Sequence, residues 1–234
     1  MNKLSKRLKT IYDLVSAKIV CDVGCDHGKL IRQLFDDKKI DFAYVSDISS
    51  NSLNKAINLL SIYKGKYKAI CCDGLTKYQE NDIEECVISG MGGYEIIGII
   101  KNSSIQINTF ILSAQHDEIE LKKFMLNSGF EIVYDIIICD KGKFYNIIKC
   151  KKTNTPCQLN DFQLNFGKNN FGNNNSDIVS FVQTNLNKLY LIRANQKTID
   201  QKVEEKIKLF EKAKKECEKY EQNTWIPKTW YWIK

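Results

Sequence analysis

Long apolar runs are missing from this 234-residue chain. Nowhere do about eighteen apolar residues stand together, so a membrane-spanning helix is not expected. The basic N-terminus, Met1 to Leu8, has no apolar stretch behind it, which argues against a secretory signal and for a cytoplasmic protein. Histidine is scarce, at two residues, and none of the nine cysteines forms a Cys-x-x-Cys pair. No metal site is therefore expected. An odd number of thiols in an unexported chain reads as reduced cysteine, and most of them lie within apolar runs, where cysteine acts as a small hydrophobe.

What is present is globular. Hydrophobic residues make up 43% and charged residues 27% of the chain, enough for a full core and a small second domain. The net charge of +7 points toward an anionic partner, although a composition rich in Lys, Asn and Ile produces such charge by itself. Its distribution says more. Residues 153–234 hold 13 Lys and Arg against 9 Asp and Glu, and the first twelve residues hold four bases and no acid.

Residues 1–15 fit a short amphipathic helix with Leu4, Leu8, Ile11, Tyr12 and Val15 on one side. Strands are predicted at 19–23, 43–48, 67–72, 85–89 and 109–113, with helical stretches between them. Near-continuous apolar strands in this alternation predict an α/β fold whose parallel sheet is covered on both faces. The runs 130–139 and 143–151 are joined only by Asp140-Lys141-Gly142. That turn is too short for a parallel crossover, so these strands must be antiparallel. Such an antiparallel last strand is the ending of a Rossmann-like class I methyltransferase sheet, and nucleotide-binding dehydrogenases usually lack it. The expected boundaries are 1–152 for this domain and 153–234 for an all-helical C-terminal domain.

In the C-terminal part, a turn-rich segment at 166–175 precedes helical spacing. Leu186, Leu189 and Ile192 recur at threes; Ile199, Val203, Ile207, Phe210, Ala213, Cys217 and Tyr220 follow. A coiled-coil-like helical hairpin or a single long arm would bury these stripes. All three tryptophans, Trp225, Trp230 and Trp232, lie in the tail, for packing or for base stacking.

The first strand runs into Asp22-Val23-Gly24-Cys25-Asp26-His27-Gly28. Glycine permits a sharp turn and close approach to a ligand. Yet Asp26 stands where a dinucleotide-binding loop needs its second glycine, and its bulk and charge oppose a pyrophosphate. S-adenosylmethionine has no phosphate and carries an ammonium and a sulfonium, which acids suit. Asp47, followed by Ile48, closes the second strand 25 residues after Asp22, either to accept from ribose hydroxyls or to cap a helix. Cys72-Asp73-Gly74 ends the third strand; Asp73 suits an adenine amino group and Gly74 the approach of the ring, with a simple turn as the alternative. Ser89-Gly90-Met91-Gly92-Gly93 is poor strand or helix material. It is read as backbone approaching a ligand at the carboxyl edge of the sheet, facing the transferable methyl.

These pieces resemble the TrmK family, the bacterial tRNA adenine-N1-methyltransferases that modify adenosine 22. The resemblance is carried by Leu4-Ser5-Lys6-Arg7-Leu8, the Asp26-His27 pair, Cys72-Asp73-Gly74-Leu75, Ser89-Gly90-Met91-Gly92-Gly93 and the Gly167 to Gly172 segment, and spans nearly the whole chain. Cys25 replaces a usual Ser, Lys29 a frequent aromatic, and Ser113-Ala114-Gln115 a Gln-Pro-Asn. The resemblance implies S-adenosylmethionine as cofactor and tRNA as partner. It implies a cofactor site of Asp22, Gly24, Cys25, Asp26, Asp47, Ile48, Cys72, Asp73, Gly74, Gly90, Met91 and Gly92. Asp26, His27 and Gln115 are the catalytic candidates, because product adenine is cationic and welcomes a carboxylate or amide. Lys3, Lys6, Arg7 and Lys29 are candidates for RNA phosphates. The chain is read as a monomer. A methyltransferase with another RNA, protein or small-molecule target, a catalytically weak tRNA-binding relative, and a nicotinamide dehydrogenase are the competing readings.

Overall fold

The computed structural model describes residues 4–79, 81–155, 157–171, 175–196, 198 and 200–223. Lys3, Gly172, Ile199 and the three tail tryptophans lie outside the described residues, as does the side chain of Tyr220. The chain divides into two compact units, Met1–Leu159 and Asn160–Lys234. The division falls beyond residue 152 because Leu159 still packs against the core of the first unit.

In the first unit the elements run α1 (Lys6–Leu14), β1 (Ile19–Val23), α2 (Lys29–Asp36), β2 (Phe42–Asp47) and α3 (Ser50–Leu60), then a 3₁₀ turn (Ser61–Tyr63) and β3 (Tyr67–Cys71). There follow β4 (Glu85–Met91), α4 (Gly93–Lys101), β5 (Thr109–Ala114), α5 (Glu118–Asn127), β6 (Phe130–Asp140) and β7 (Lys143–Lys152). One seven-stranded sheet results, in the order β3-β2-β1-β4-β5-β7-β6. The first five strands pair in parallel. β7 is the antiparallel member, inserted between β5 and β6. The hairpin that joins β6 to β7 turns on Lys141 and Gly142, both at positive φ (53° and 76°), the geometry whose twist suits a two-residue connection.

Residues alternate between two buried layers, as strand periodicity requires. Cys21, Val23, Cys86, Ile88, Phe110 and Leu112 join the layer that includes Ile96 and Ile97 of α4 and Leu121 and Met125 of α5. Val20, Val45, Val87 and Ile111 join the opposite layer with Ile11 of α1, Leu30 and Leu34 of α2, and Leu53 and Leu60 of α3. With both faces covered in this way, a ligand is expected in the crevice outside the carboxyl ends of the parallel strands. α1 is held from two directions. The Ser5 hydroxyl accepts from the Leu8 amide at 3.3 Å, and the Asp140 carboxylate accepts from the Arg7 amide at 3.1 Å.

The second unit contains α6 (Asp161–Phe166), α7 (Ser176–Ala194) and α8 (Gln201–Asn223). α7 and α8 pack on each other as a hairpin. The short helix α6 was not expected from spacing; its signal is the reciprocal cap between Asn160 and Gln163, at 2.9 and 3.2 Å. Phe162, Phe166, Phe171, Phe181 and Phe210 build an aromatic core. The expected stripe is corrected at one end. Ile192 is 49% exposed, whereas Ile178 and Val182 are buried with Leu186 and Leu189.

Candidate active site

A cleft of about 400 Å³ opens at the carboxyl ends of β1, β2, β3, β4 and β5. Its first wall is the turn after β1. Gly24, Asp26 and Gly28 all have positive φ (71°, 46° and 66°). For Asp26 this left-handed backbone costs about 1 kcal/mol, and such strain concentrates where a side chain is needed for function. The Gly24 amide and the Cys25 amide both donate to the Ser46 carbonyl at 2.9 Å, and the Gly28 amide donates to the Cys25 carbonyl at 2.8 Å. The Asp26 amide donates to Asp47 Oδ2 at 3.2 Å. The turn therefore offers side-chain acids, while the amides of Gly24, Cys25, Asp26 and Gly28 are engaged inside the protein.

Asp47 joins two elements. Its Oδ1 also accepts from the Ser49 amide at 2.8 Å. The helix cap expected as an alternative role belongs to Ser49, whose hydroxyl accepts from the Ser52 amide at 3.3 Å. Asp47 is thus oriented by main chain on both oxygens and keeps further lone pairs for a ligand. Beside it stands Ile48, 72% exposed, an apolar surface on the cleft wall. Asp22 is 5% exposed; burial, and then the charge of Asp47, push its carboxyl up to about 7. Burial, and then the charges of Asp22 and Asp47, raise the Cys25 thiol, so this cysteine lines the cleft as a neutral group.

The third wall is Cys72-Asp73-Gly74. Gly74 has φ +56°, and a Cβ there would stand 2.8 Å from Ile99, so packing demands the glycine as much as any ligand does. The fourth is the end of β4, which continues as strand through Gly90 and Met91 with a register shift between Ser89 and Met91. That corrects the expectation that the glycine run would interrupt the strand. A Cβ on Gly24 would meet Met91 Cε at 2.3 Å, which closes the two walls on each other. Gln115 Nε2 donates to the Gly90 carbonyl at 2.6 Å, placing the amide at the cleft.

Of the expected site residues, Gly92 and Lys6 do not line the cleft, and Lys3 lies outside the described residues. A Cβ at Gly92 would meet His116 Cε1 at 2.5 Å, and one at Gly93 would meet the Asp117 carbonyl oxygen at 2.3 Å. These glycines serve the packing of α4 on the β5–α5 connection, not ligand approach. Gly93→Ala is expected to cost about 2 kcal/mol or more by overpacking. Gly98→Ala, where nothing stands within 4 Å, should gain about 0.5–1 kcal/mol of helix stability; chemical denaturation of both variants checks the contrast.

His27 and Asp26 are partners at most loosely, with Nδ1 3.6 Å from Oδ2 and both side chains well exposed. Glu95 was missed. It lines the cleft from the third position of α4 and accepts from the Gly92 amide at 3.4 Å; sequence alone shows only an acid in a helical first turn. Arg7 and Lys29 also line the cleft. Among the described residues, no cluster of His, Cys, Asp and Glu could hold a metal ion, and no helix is long and apolar enough to cross a membrane.

A parallel sheet closed by an inserted antiparallel strand, with an acid-lined cleft at its carboxyl edge, defines a Rossmann-like methyltransferase domain. A family described as a methyltransferase domain matches residues 4–148. The chain belongs to that family. It is 33% identical over 167 residues, 67% of its length, to a candidate tRNA methyltransferase of Mycoplasma genitalium, 73% of which is covered. The structure of M. capricolum TrmK with S-adenosylhomocysteine is similar at TM-score 0.81 and 25% identity, covering 91% of this chain and 98% of that one. A Streptococcus pneumoniae protein described as a candidate tRNA (m1A22) methyltransferase, in complex with S-adenosylmethionine, gives TM-score 0.79 and 25% identity over 91% of this chain and all of that one.

Proposed function

We propose that this protein transfers a methyl group from S-adenosylmethionine to N1 of adenosine 22 in tRNA, as a cytoplasmic monomer. The observation that carries this reading is the β1 turn, which presents carboxylates to the cleft while the amides of Gly24, Cys25, Asp26 and Gly28 are engaged by Ser46, Asp47 and Cys25. That donor set fits a cationic nucleoside without phosphate. The family resemblance supplies the substrate.

In this reading Asp47 accepts from the two ribose hydroxyls, Ile48 covers one face of the adenine, and Asp73 accepts from its amino group. Asp22 and Asp26 face the ammonium and sulfonium end, beside Gly24 and Met91. When bound, S-adenosylmethionine supplies an electrophilic methyl on a potent leaving group. Adenine N1 has a free lone pair, so no strong base is required, and the protein contributes alignment and exclusion of water. The product base is a cation. Gln115 is held by Gly90 through Nε2, which leaves its carbonyl oxygen as an acceptor for the target base. N1 lies on the pairing edge, so the base must be exposed or flipped out before it can enter. The C-terminal helical part, 153–234, is assigned to tRNA contact on its basic balance.

Incubation with labelled S-adenosylmethionine and an unmodified tRNA transcript, followed by nucleoside analysis, tests the proposal. N1-methyladenosine is expected, and it should vanish when adenosine 22 is replaced by guanosine. Methylation that survives this replacement, or a different methylated nucleoside, would refute the assigned target.

A further inference from the structure

Asp117 precedes α5 but does not cap it. A carboxylate in that place ordinarily accepts from the free amides of the first turn, whereas Asp117 makes no such bond and its backbone is left-handed, at φ 59°. Its Oδ2 instead lies 2.6 Å from Nδ1 of His116. The imidazole held in this way rests on bare main chain. A Cβ on Gly92 would stand 2.5 Å from its Cε1 and 3.0 Å from its Nε2. A forgone cap, a left-handed aspartate and a missing side chain all serve to fix one imidazole. A histidine that only decorated the surface would require none of them.

The ring stands where β4 and β5 end, the side of the cleft that the proposed function gives to the target base. The Gln115 amide donates to the Met91 carbonyl and the Gly93 amide to the His116 carbonyl, both at 2.9 Å. Residues 115 and 116 are thus tied to the two neighbours of Gly92. Gln115 and Met91 line the cleft. His116 stands just beyond them with its side chain 68% exposed, in reach of a base arriving from solvent. A carboxylate facing Nδ1 keeps the proton of the neutral ring on that nitrogen, which leaves Nε2 as an acceptor. Among the described residues nothing donates to Nε2.

We propose that His116 is a specificity-determining residue for the target base, its Nε2 accepting from the exocyclic amino group of adenine, with Asp117 as its positioning residue. The inference rests on the reading of this cleft as a site of methyl transfer to adenine N1. The amino group neighbours N1 and carries two N–H donors; the Gln115 carbonyl oxygen and His116 Nε2 take one each. Guanine presents a carbonyl oxygen at the same place and would leave both acceptors unpaired. One contact thus turns N1 toward the methyl and rejects guanine.

The test removes the amino group from the substrate as well as the imidazole from the protein. Two tRNAs are assembled by ligation, one with adenosine at position 22 and one with purine riboside, which keeps N1 and lacks the amino group. His116→Ala should lower kcat/KM on the adenosine tRNA about tenfold, the worth of one hydrogen bond, and on the purine tRNA by no more than about twofold. Asp117→Ala, which keeps the ring but no longer holds it, should lose about threefold, again on adenosine alone. S-adenosylhomocysteine affinity should be unchanged in both variants. Equal loss on the two tRNAs, or loss on neither, overturns the assignment of His116 and leaves the reaction standing. A wild-type enzyme that methylates neither tRNA at position 22 would refute the proposed reaction, and the inference with it.

Discussion

Asp47→Ala is expected to weaken S-adenosylhomocysteine binding about 100- to 1000-fold, the loss of two hydrogen bonds to one charged acceptor. The structure makes this substitution informative because Asp47 is positioned by two main-chain amides, those of Asp26 at 3.2 Å and Ser49 at 2.8 Å. It is therefore a preset acceptor and also the tie between the β1 turn and the β2 end. The fold should survive. α3 is capped by Ser49 and not by Asp47, and the flanking strand residues Val45 and Ser46 are fully buried. Asp47→Asn keeps one acceptor and should lose less. Calorimetric titration beside thermal unfolding separates the outcomes, and an Asp47→Ala protein that binds as tightly as wild type would remove the ribose from this position.

Asp22→Asn should produce opposite effects on stability and binding. Burial and the charge of Asp47 raise the Asp22 carboxyl from 3.8 to about 7, so between these values the folded state holds a proton that the unfolded state has released. Its contribution to stability is complete below the unfolded value and is lost as pH rises through about 7. Above that, the folded protein carries a buried anion beside a second anion. The Asn variant has no such penalty. At pH 7.5 it should be more stable than wild type, on the order of a few kcal/mol, and this gain should disappear toward pH 4.

Cofactor binding should respond the other way. A cationic ligand end favours the ionised carboxyl, so wild-type affinity should climb roughly eightfold from pH 6 to 7.5, as the ionised fraction grows. The ligand's own α-amine, which loses its proton near 8, sets the upper limit of this window. In Asp22→Asn the climb should be absent and the affinity low throughout. A variant that keeps the pH dependence would assign it to another group.

Much of the sheet was legible because its strands are apolar on both faces and alternate with helical spacing. Asp140-Lys141-Gly142 gave away the hairpin by its brevity. The insertion of β7 between β5 and β6 was not legible, since strand order depends on contacts far apart in the chain. The C-terminal stripe failed at Ile192 for a geometric reason. Two steps of three residues place Leu186 and Ile192 about 120° apart on a helix. Steps of four followed by three, as in Ile178, Val182, Leu186 and Leu189, stay on one face.

The cleft was legible at the ends of the first three strands, where acids and glycines follow apolar runs. Gly90 and Met91, at the end of the fourth, line it as well. At Gly92 and Gly93 sequence shows that a residue lacks a side chain without showing what occupies that space; His116 and Asp117 occupy it. Arg7, expected at RNA phosphates because its neighbours are basic, lines the cleft beside Gly90 and Tyr145, a placement that sequence does not show.

Crystals grown with S-adenosylhomocysteine provide the most direct measurement. The ribose should lie against Asp47, the adenine between Ile48 and the Cys72-Asp73-Gly74 turn, and the sulfur beside Gly24 and Met91. A nucleoside lodged away from these strand ends, or none at saturating ligand, would contradict an acid-lined methyl-donor site at this edge of the sheet.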